Sequence, residues 1–189
     1  AVAVNSANDA SVALAEHVAG SEEAFAKMMN EKARELGLSD KVNFINATGL
    51  GRADMNGNDP KSIEGETLLT AKDTALLAYY LLKDHPEVLE FSSIPKKKLR
   101  PQDTTEMVNW NWMLEGFKDS LYRKAYAYEG MDGLKTGHTN EAGWCFTGTA
   151  ERNGIRLISV VMGAPSERAR FEETRKLLDY GFNNFERQT

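Results

Sequence analysis

The dipeptide Asn153-Gly154 restricts the fold of this sequence more than any other feature. Asn-Gly is the strongest short signal for a two-residue β-hairpin turn, because both residues readily adopt the positive φ that such a turn requires. It lies within residues 142–163, and the runs on either side are rich in Thr, Ile and Val, as strands are. We therefore expect an antiparallel pair of strands in this part of the chain.

The first half of the sequence predicts helices. Apolar residues, Leu14 and Val18 among them, lie at helical spacing over residues 9–18, and Gly20 suits the position just after a helix. Ser21 is a favourable N-cap for a second helix, whose apolar stripe ends at Gly37. We expect two ordinary amphipathic helices here.

Further helix starts follow along the chain. Thr70 and Asp73 form a capping box, and Pro86 suits the first turn of a short helix. Ser166 is a favourable N-cap for the last helix, because a serine hydroxyl can accept a hydrogen bond from a backbone N–H of the first turn.

The order of these elements predicts an α+β fold. Residues 43–66 are rich in Asn, Asp and Gly and are expected to form a long loop, with a turn at residues 56–60. Helices come first, then a strand over residues 133–137, then the hairpin and a final helix. We expect a helical lobe beside an antiparallel sheet that is covered by the C-terminal helix.

Length and charge narrow the possible functions. With 189 residues, 41% of them hydrophobic, the chain is expected to form one globular unit, built on one core or on two lobes that share it. The net charge of −5 argues against nucleic acid as a partner, because phosphate binding needs a basic face and the one basic run is short, at residues 96–100. No stretch is apolar enough to span a bilayer.

The metal-ligating residue types are sparse. Cys145 is the single cysteine, which excludes an internal disulfide and a cysteine metal cluster. The histidines, His17, His85 and His138, are far apart and lack metal-ligand spacing, so no metal site is expected.

Two short motifs carry chemistry. The sequence has no zinc-protease, phosphate-loop, nucleophile-elbow or dinucleotide motif. It does have Ser6-Ala7-Asn8 near its start and Lys135-Thr136-Gly137 within GLKTGHT at residues 133–139. Ser-x-Asn alone is nearly uninformative, but the ordered pair, with a helical region between the motifs, is a specific combination.

With these motifs the chain resembles the low-molecular-mass penicillin-binding proteins, the D-alanyl-D-alanine carboxypeptidases of the serine β-lactamase and transpeptidase-like superfamily. The resemblance extends to Glu141-Ala142-Gly143, to RLISVVMG at residues 156–163 and to Leu177-Leu178. It implies catalytic roles for Ser6, Asn8 and Lys135. It implies substrate binding by Thr136, Gly137, His138 and Arg170, with the backbone N–H of His138 rather than its imidazole as the oxyanion donor.

The sequence departs from the family pattern at the nucleophile. In the family a Ser-x-x-Lys motif precedes Ser-x-Asn, whereas this chain starts just before Ser6. The match at Ser93-Ile94-Pro95-Lys96 follows Ser-x-Asn and contains a proline, which disfavours the single helical turn that the chemistry needs.

We therefore expect residues 1–189 to be the larger part of a peptidase domain. The resemblance implies that the first strands and the nucleophile helix are missing, that this segment associates non-covalently with the chain, and that a C-terminal strand-rich domain is absent. Any membrane attachment would use segments that are not in this sequence.

The resemblance implies a serine-type carboxypeptidase that removes the terminal D-alanine of peptidoglycan stem peptides through an acyl-enzyme and is inhibited by β-lactams. Its place would be extracytoplasmic, on the bacterial cell membrane or secreted. One alternative is a class A β-lactamase, whose Glu-x-x-Leu-Asn stretch is not matched because Leu69 is followed by Thr70. Another is a non-catalytic β-lactam sensor or cell-wall binding module.

Overall fold

The structure is a computed structural model that describes residues 1–55, 57, 60–117 and 120–186. The chain divides into two compact units, one formed by Val2 and residues 6–80, the other by Ala1, Ala3–Asn5 and the residues from Leu81 on. The predicted turn at residues 56–60 lies mostly outside the described residues.

The first unit is mainly helical. The short helix α1 (Val2–Asn5) belongs mostly to the other unit. The first unit contains α2 (Asn8–Ala19), α3 (Glu22–Glu35) and most of α4 (Ala71–Asp84), with a 3-10 turn at Arg52–Met55. The predicted ends are confirmed, since α2 stops at Gly20 with φ 81° and the Ser21 hydroxyl accepts a hydrogen bond from Ala24 N.

Helix α4 begins at the predicted capping box. Thr70 Oγ1 accepts a hydrogen bond from Asp73 N at 3.1 Å, and the Asp73 carboxylate accepts from Thr70 Oγ1 at 2.6 Å. The same carboxylate accepts from Ser39 N and Ser39 Oγ, both at 2.8 Å. These bonds, that from Thr70 first, lower the pKa of Asp73 to about 2.

The apolar side chains of α2 are not arranged as an ordinary amphipathic helix. Leu14 and Val18 are exposed in residues 1–189, the buried residue of α2 is Ala15, and α2 packs against α3. The small Ala15 side chain lets two helices approach closely. The core of this unit centres on Ala33, Leu38 and Phe44.

The second unit contains the sheet. After a 3-10 turn at Pro86–Val88 its elements are α5 (Leu89–Ser92), β1 (Lys96–Lys97), β2 (Met107–Val108), α6 (Leu121–Lys124), β3 (Met131–Thr139), β4 (Gly143–Arg152), β5 (Ile155–Ala164) and α7 (Glu167–Asn184). Strands β3, β4 and β5 form an antiparallel sheet in that order. The predicted turn joins β4 to β5, with φ of 51° at Asn153 and 75° at Gly154.

Helix α7 packs on β4 and β5, as the sequence predicts. Its N-cap is Ser166, whose hydroxyl accepts a hydrogen bond from Ala169 N at 3.1 Å. Phe171 and Leu178 face the sheet, and Phe171 meets Phe146 of β4 with ring centroids 5.3 Å apart. Among the helices that the structure describes, none is both long and apolar enough to cross a membrane.

Candidate active site

Strand β3 carries the Lys135-Thr136-Gly137 motif at the end of the described sheet. Thr136 lies opposite Phe146 and is almost buried, on the face that α7 covers. Side chains alternate along a strand, so Lys135 and Gly137 belong to the other face. Among the described residues no strand pairs with β3 on its outer side, so β3 is an edge strand of the described sheet.

The Lys135 ammonium is held close to the backbone. Its Nζ donates a hydrogen bond to the Thr136 carbonyl at 2.8 Å. Partial burial, and then the like charge of Arg170, lower the pKa of Lys135 to about 8. A lysine in this state can change its protonation near neutral pH, as groups that move protons in catalysis do.

Gly137 leaves open space on its face of the strand. A methyl group at this position would meet only Cys145 Cβ, at 4.0 Å, which is an ordinary contact. The fold of the chain therefore does not require glycine here, whereas close approach of another backbone would.

Arg170 is buried, with 2% of its surface exposed, so it is not the solvated arginine that a terminal helix usually carries. Its Nη1 donates to the Gly137 carbonyl at 3.3 Å and its Nη2 donates to Glu167 Oε1 at 3.1 Å. The guanidinium carbon lies 5.1 Å from the ring centroid of Trp144. Arg170 thus supports the strand at Gly137 from the side of α7.

Burial lowers the pKa of Arg170, although the neighbouring Glu167 opposes that change. Its Nε is buried and has no hydrogen-bond partner among the described residues. A guanidinium in low-dielectric surroundings interacts more strongly with other charges than an exposed one does, which explains its effect on Lys135.

Trp144 is a site residue that the motifs did not reveal. It lies directly opposite His138 in the β3–β4 pair, and the two ring centroids are 4.0 Å apart. The hairpin register could have indicated this pairing, because residues opposite each other in an antiparallel pair are side-chain neighbours. The His138 imidazole is exposed and packs on Trp144.

Ser6 and Asn8 lie in the other compact unit, on either side of the break between α1 and α2. Both side chains are exposed. Ser6 has φ 55°, a left-handed conformation that few residues other than glycine adopt. Such a conformation is common where a side chain is held for function.

The rejected Ser-x-x-Lys match is not helical. Helix α5 ends at Ser92, Pro95 lies outside any helix, and Lys96 begins β1. Ser93 and Lys96 are therefore not on one turn of a helix. Among the described residues no group of His, Cys, Asp or Glu side chains could hold a metal ion.

The loop that would carry a β-lactamase glutamate is organised by Arg52. The Arg52 guanidinium donates to the carbonyls of Gly65, Pro60 and Ile63, and Arg52 N donates to Glu66 Oε2 at 3.1 Å. The Glu66 carboxylate thus takes part in the loop's own hydrogen bonds.

The family of this chain follows from its similarity to known proteins. The family model described as D-alanyl-D-alanine carboxypeptidase matches residues 1–166. The chain belongs to this family. The resemblance inferred from the two motifs is confirmed, and so is the α+β fold, because solved penicillin-binding proteins superpose on nearly the whole chain.

Three known proteins show how far the similarity of this chain extends. D-alanyl-D-alanine carboxypeptidase DacF of Bacillus subtilis is 37% identical over 98% of this chain and 42% of its own length. The Streptococcus pneumoniae protein PBP3, a peptidoglycan synthesis regulatory factor, is 39% identical with TM-score 0.82 over 95% of this chain and 53% of its own. Penicillin-binding protein D2 of Listeria monocytogenes, solved with cefotaxime bound, is 38% identical with TM-score 0.76 over 96% of this chain and 63% of its own.

This member of the carboxypeptidase family spans about two-fifths of the length of the curated relatives that it matches. The family relationship and the fold thus rest on nearly all of the chain, while the activity belongs to a longer protein in each of those relatives.

Proposed function

We propose that the protein is a serine-type D-Ala-D-Ala carboxypeptidase. It would remove the terminal D-alanine of peptidoglycan stem peptides through an acyl-enzyme and would be inhibited by β-lactams. One observation at the end of β3 carries the proposal: Lys135 has a lowered pKa, and it lies near Gly137, a position at which the fold does not require glycine. Family membership and the cefotaxime-bound relative support it.

Acyl transfer needs an activated hydroxyl, a proton donor for the leaving amine, an oxyanion site and an anchor for the substrate carboxylate. In this proposal Ser6 relays a proton toward the leaving nitrogen, and Asn8 hydrogen-bonds the substrate amide or the lysine of the Ser-x-x-Lys motif. Lys135 supplies positive charge that lowers the pKa of that second lysine, because like charges oppose each other's protonation.

The substrate would lie along β3 as an added strand. Thr136 and Arg170 would bind the terminal carboxylate, Gly137 would leave room for the incoming backbone, and the N–H of His138 would stabilise the oxyanion. The open edge of β3 and the position of the Arg170 guanidinium against Gly137 support this arrangement.

We propose that the nucleophile comes from a Ser-x-x-Lys segment outside this sequence, which would pack against residues 1–189 through non-covalent contacts. The protein would act outside the cytoplasm, on the cell membrane or secreted, with stem peptides and β-lactams as its partners. Neither nucleic acid nor a metal or organic cofactor has a part in this reaction.

Deacylation of β-lactams would be slow. The residue that best corresponds to a β-lactamase glutamate, Glu66, accepts a hydrogen bond from Arg52 within its own loop. This contact favours the carboxypeptidase over the β-lactamase.

The test is to incubate the protein, in its full natural length, with benzylpenicillin and to follow its intact mass. We expect a stable adduct of one penicillin, located by digestion on a serine, and release of D-alanine from a peptide that ends in D-Ala-D-Ala. The absence of any adduct would refute the enzyme and leave a non-catalytic binding module. Adduct that disappears within seconds would indicate a β-lactamase.

A further inference from the structure

Trp110 lies between two buried asparagines that fix the backbone on both sides of it. Asn109 donates through Nδ2 to the carbonyls of Ser92 and Ile94, at 3.1 and 2.9 Å. Its Oδ1 accepts from Asn111 N at 2.8 Å. Buried asparagines that bind backbone groups in this way hold a loop in one conformation.

The second asparagine connects this segment to β3. Asn111 Oδ1 accepts from Met113 N at 3.0 Å, and its Nδ2 donates to the Gly133 carbonyl at 3.5 Å. Gly133 precedes Lys135 by two residues on the same strand. The segment from Asn109 to Asn111 is thereby attached to the strand that carries the lysine.

Trp110 itself faces outward, with 44% of its surface exposed. Its indole Nε1 donates a hydrogen bond to the carbonyl of Asn5 at 3.3 Å. A rigid loop thus presents an indole donor to the last residue of α1, immediately before Ser6.

The Asn5–Ser6 peptide is held at both of its polar groups. Ser6 N donates to the Val2 carbonyl at 3.1 Å, and the Asn5 carbonyl accepts from Trp110. A peptide unit is planar, so these two bonds fix the plane from which the Ser6 side chain starts. Ser6 has the uncommon φ of 55°, which needs support from its surroundings.

We infer that Trp110 is a positioning residue for Ser6, acting through the hydrogen bond from its indole N–H to the Asn5 carbonyl. The inference rests on the proposed function, in which Ser6 relays the proton to the leaving group. Trp110 does not touch the reacting atoms. Its effect is on the orientation of the Ser6 hydroxyl and hence on the rate of acylation, with little effect on the binding that precedes it.

The test is a double-mutant cycle on the full-length protein, made of the parent, Trp110→Phe, Ser6→Ala and the double variant. Trp110→Phe keeps an aromatic ring and removes the N–H donor. We expect the acylation rate constant with benzylpenicillin to fall about fivefold, the factor that one neutral hydrogen bond represents, and the preceding dissociation constant to stay the same. In the Ser6→Ala background Trp110→Phe should cause no further fall.

The matched control is Tyr180→Phe, which changes an exposed aromatic residue of α7 and should leave all rates unchanged. Melting temperatures show whether each variant folds. If Trp110→Phe does not fold, Trp110→Leu, which also lacks the indole N–H donor, takes its place. The slow Ser6→Ala proteins are followed by intact mass over hours.

The outcomes separate the two proposals. If the parent forms no adduct, the proposed function fails and the role of Trp110 fails with it. If the parent is acylated and Trp110→Phe slows acylation equally with and without the Ser6 hydroxyl, or has no effect, only the positioning role is refuted.

Discussion

The two ends of strand β3 differ, and the glycine at each end shows how. A Cβ at Gly133 would lie 2.9 Å from Ser92 Oγ and 3.1 Å from Thr149 Cγ2, whereas at Gly137 it would meet only Cys145 Cβ at 4.0 Å. The first glycine is required by packing within the chain. Packing within the chain does not require glycine at position 137, so only the close approach of a ligand would require it.

The charged residues of β3 differ in the same way. At the buried end Asp132 accepts two hydrogen bonds from the Arg156 guanidinium, both at 2.8 Å, which balances the charge of each partner. At the open end Lys135 lies within the field of Arg170, a like charge. The charges at the buried end of β3 are paired within the fold, whereas the open end carries a lysine with a perturbed pKa, as functional sites often do.

The largest effect is expected from Lys135→Met in the full-length protein. Loss of the ammonium should slow acylation by benzylpenicillin by about 10²- to 10³-fold, the usual contribution of one fixed electrostatic group to an acyl transfer. The melting temperature should stay the same or rise, because a partly buried charge is removed. A fall of less than about tenfold would mean that the open end of β3 does not differ in function from the buried end.

Gly133→Ala should affect the fold instead. The added methyl group overlaps Ser92 and Thr149, and such overpacking lowers the free energy of unfolding by about 1–3 kcal/mol. Denaturant titration monitored by circular dichroism measures this change. An unchanged midpoint would contradict the tight packing of this end.

Gly137→Ala is the matched variant at the open end. Its free energy of unfolding should change by less than about 0.5 kcal/mol, since the methyl group has space. Acylation should slow by about 5- to 150-fold if a substrate backbone lies against this position, the range that about 1–3 kcal/mol of crowding represents. Equal acylation rates for Gly137→Ala and the parent would contradict the proposal that substrate lies along this edge of β3.

The lowered pKa of Lys135 predicts a pH dependence. The ammonium is the active form of Lys135, so loss of its proton should make acylation fall about tenfold between pH 7 and 9. Lys135→Arg, which stays protonated, should move this decrease to higher pH. A decrease that Lys135→Arg leaves in place would belong to another group.

The smallest effect is expected from His138→Ala. The imidazole is exposed and packs on Trp144, and the proposed oxyanion donor is the backbone N–H, which alanine retains. Acylation should change by less than about threefold, as for the loss of a surface contact. A loss of 100-fold or more would assign the imidazole a direct part in the chemistry.

Much of the candidate site was predictable from the two motifs. The sequence placed Lys135, Thr136 and Gly137 on a strand, and the structure has them in β3. The burial of Arg170 and its contact with Trp144 were not predictable, because these residues meet only when α7 packs on the sheet. Nor was the bond from Trp110 to Asn5, which are 105 residues apart.

The sequence by itself determined the turns and helix ends that depend on neighbouring residues. The Asn153-Gly154 turn and the caps at Ser21, Thr70 and Ser166 depend on residues within one turn of the chain, where steric limits and nearby hydrogen bonds decide the conformation.

Only the tertiary structure decided which side chains are buried. Arg170 belongs to a residue type that is usually exposed, yet only 2% of its surface is exposed because α7 packs on the sheet. The physical reason is that burial depends on which distant elements pack together, and the local pattern restricts that choice without making it.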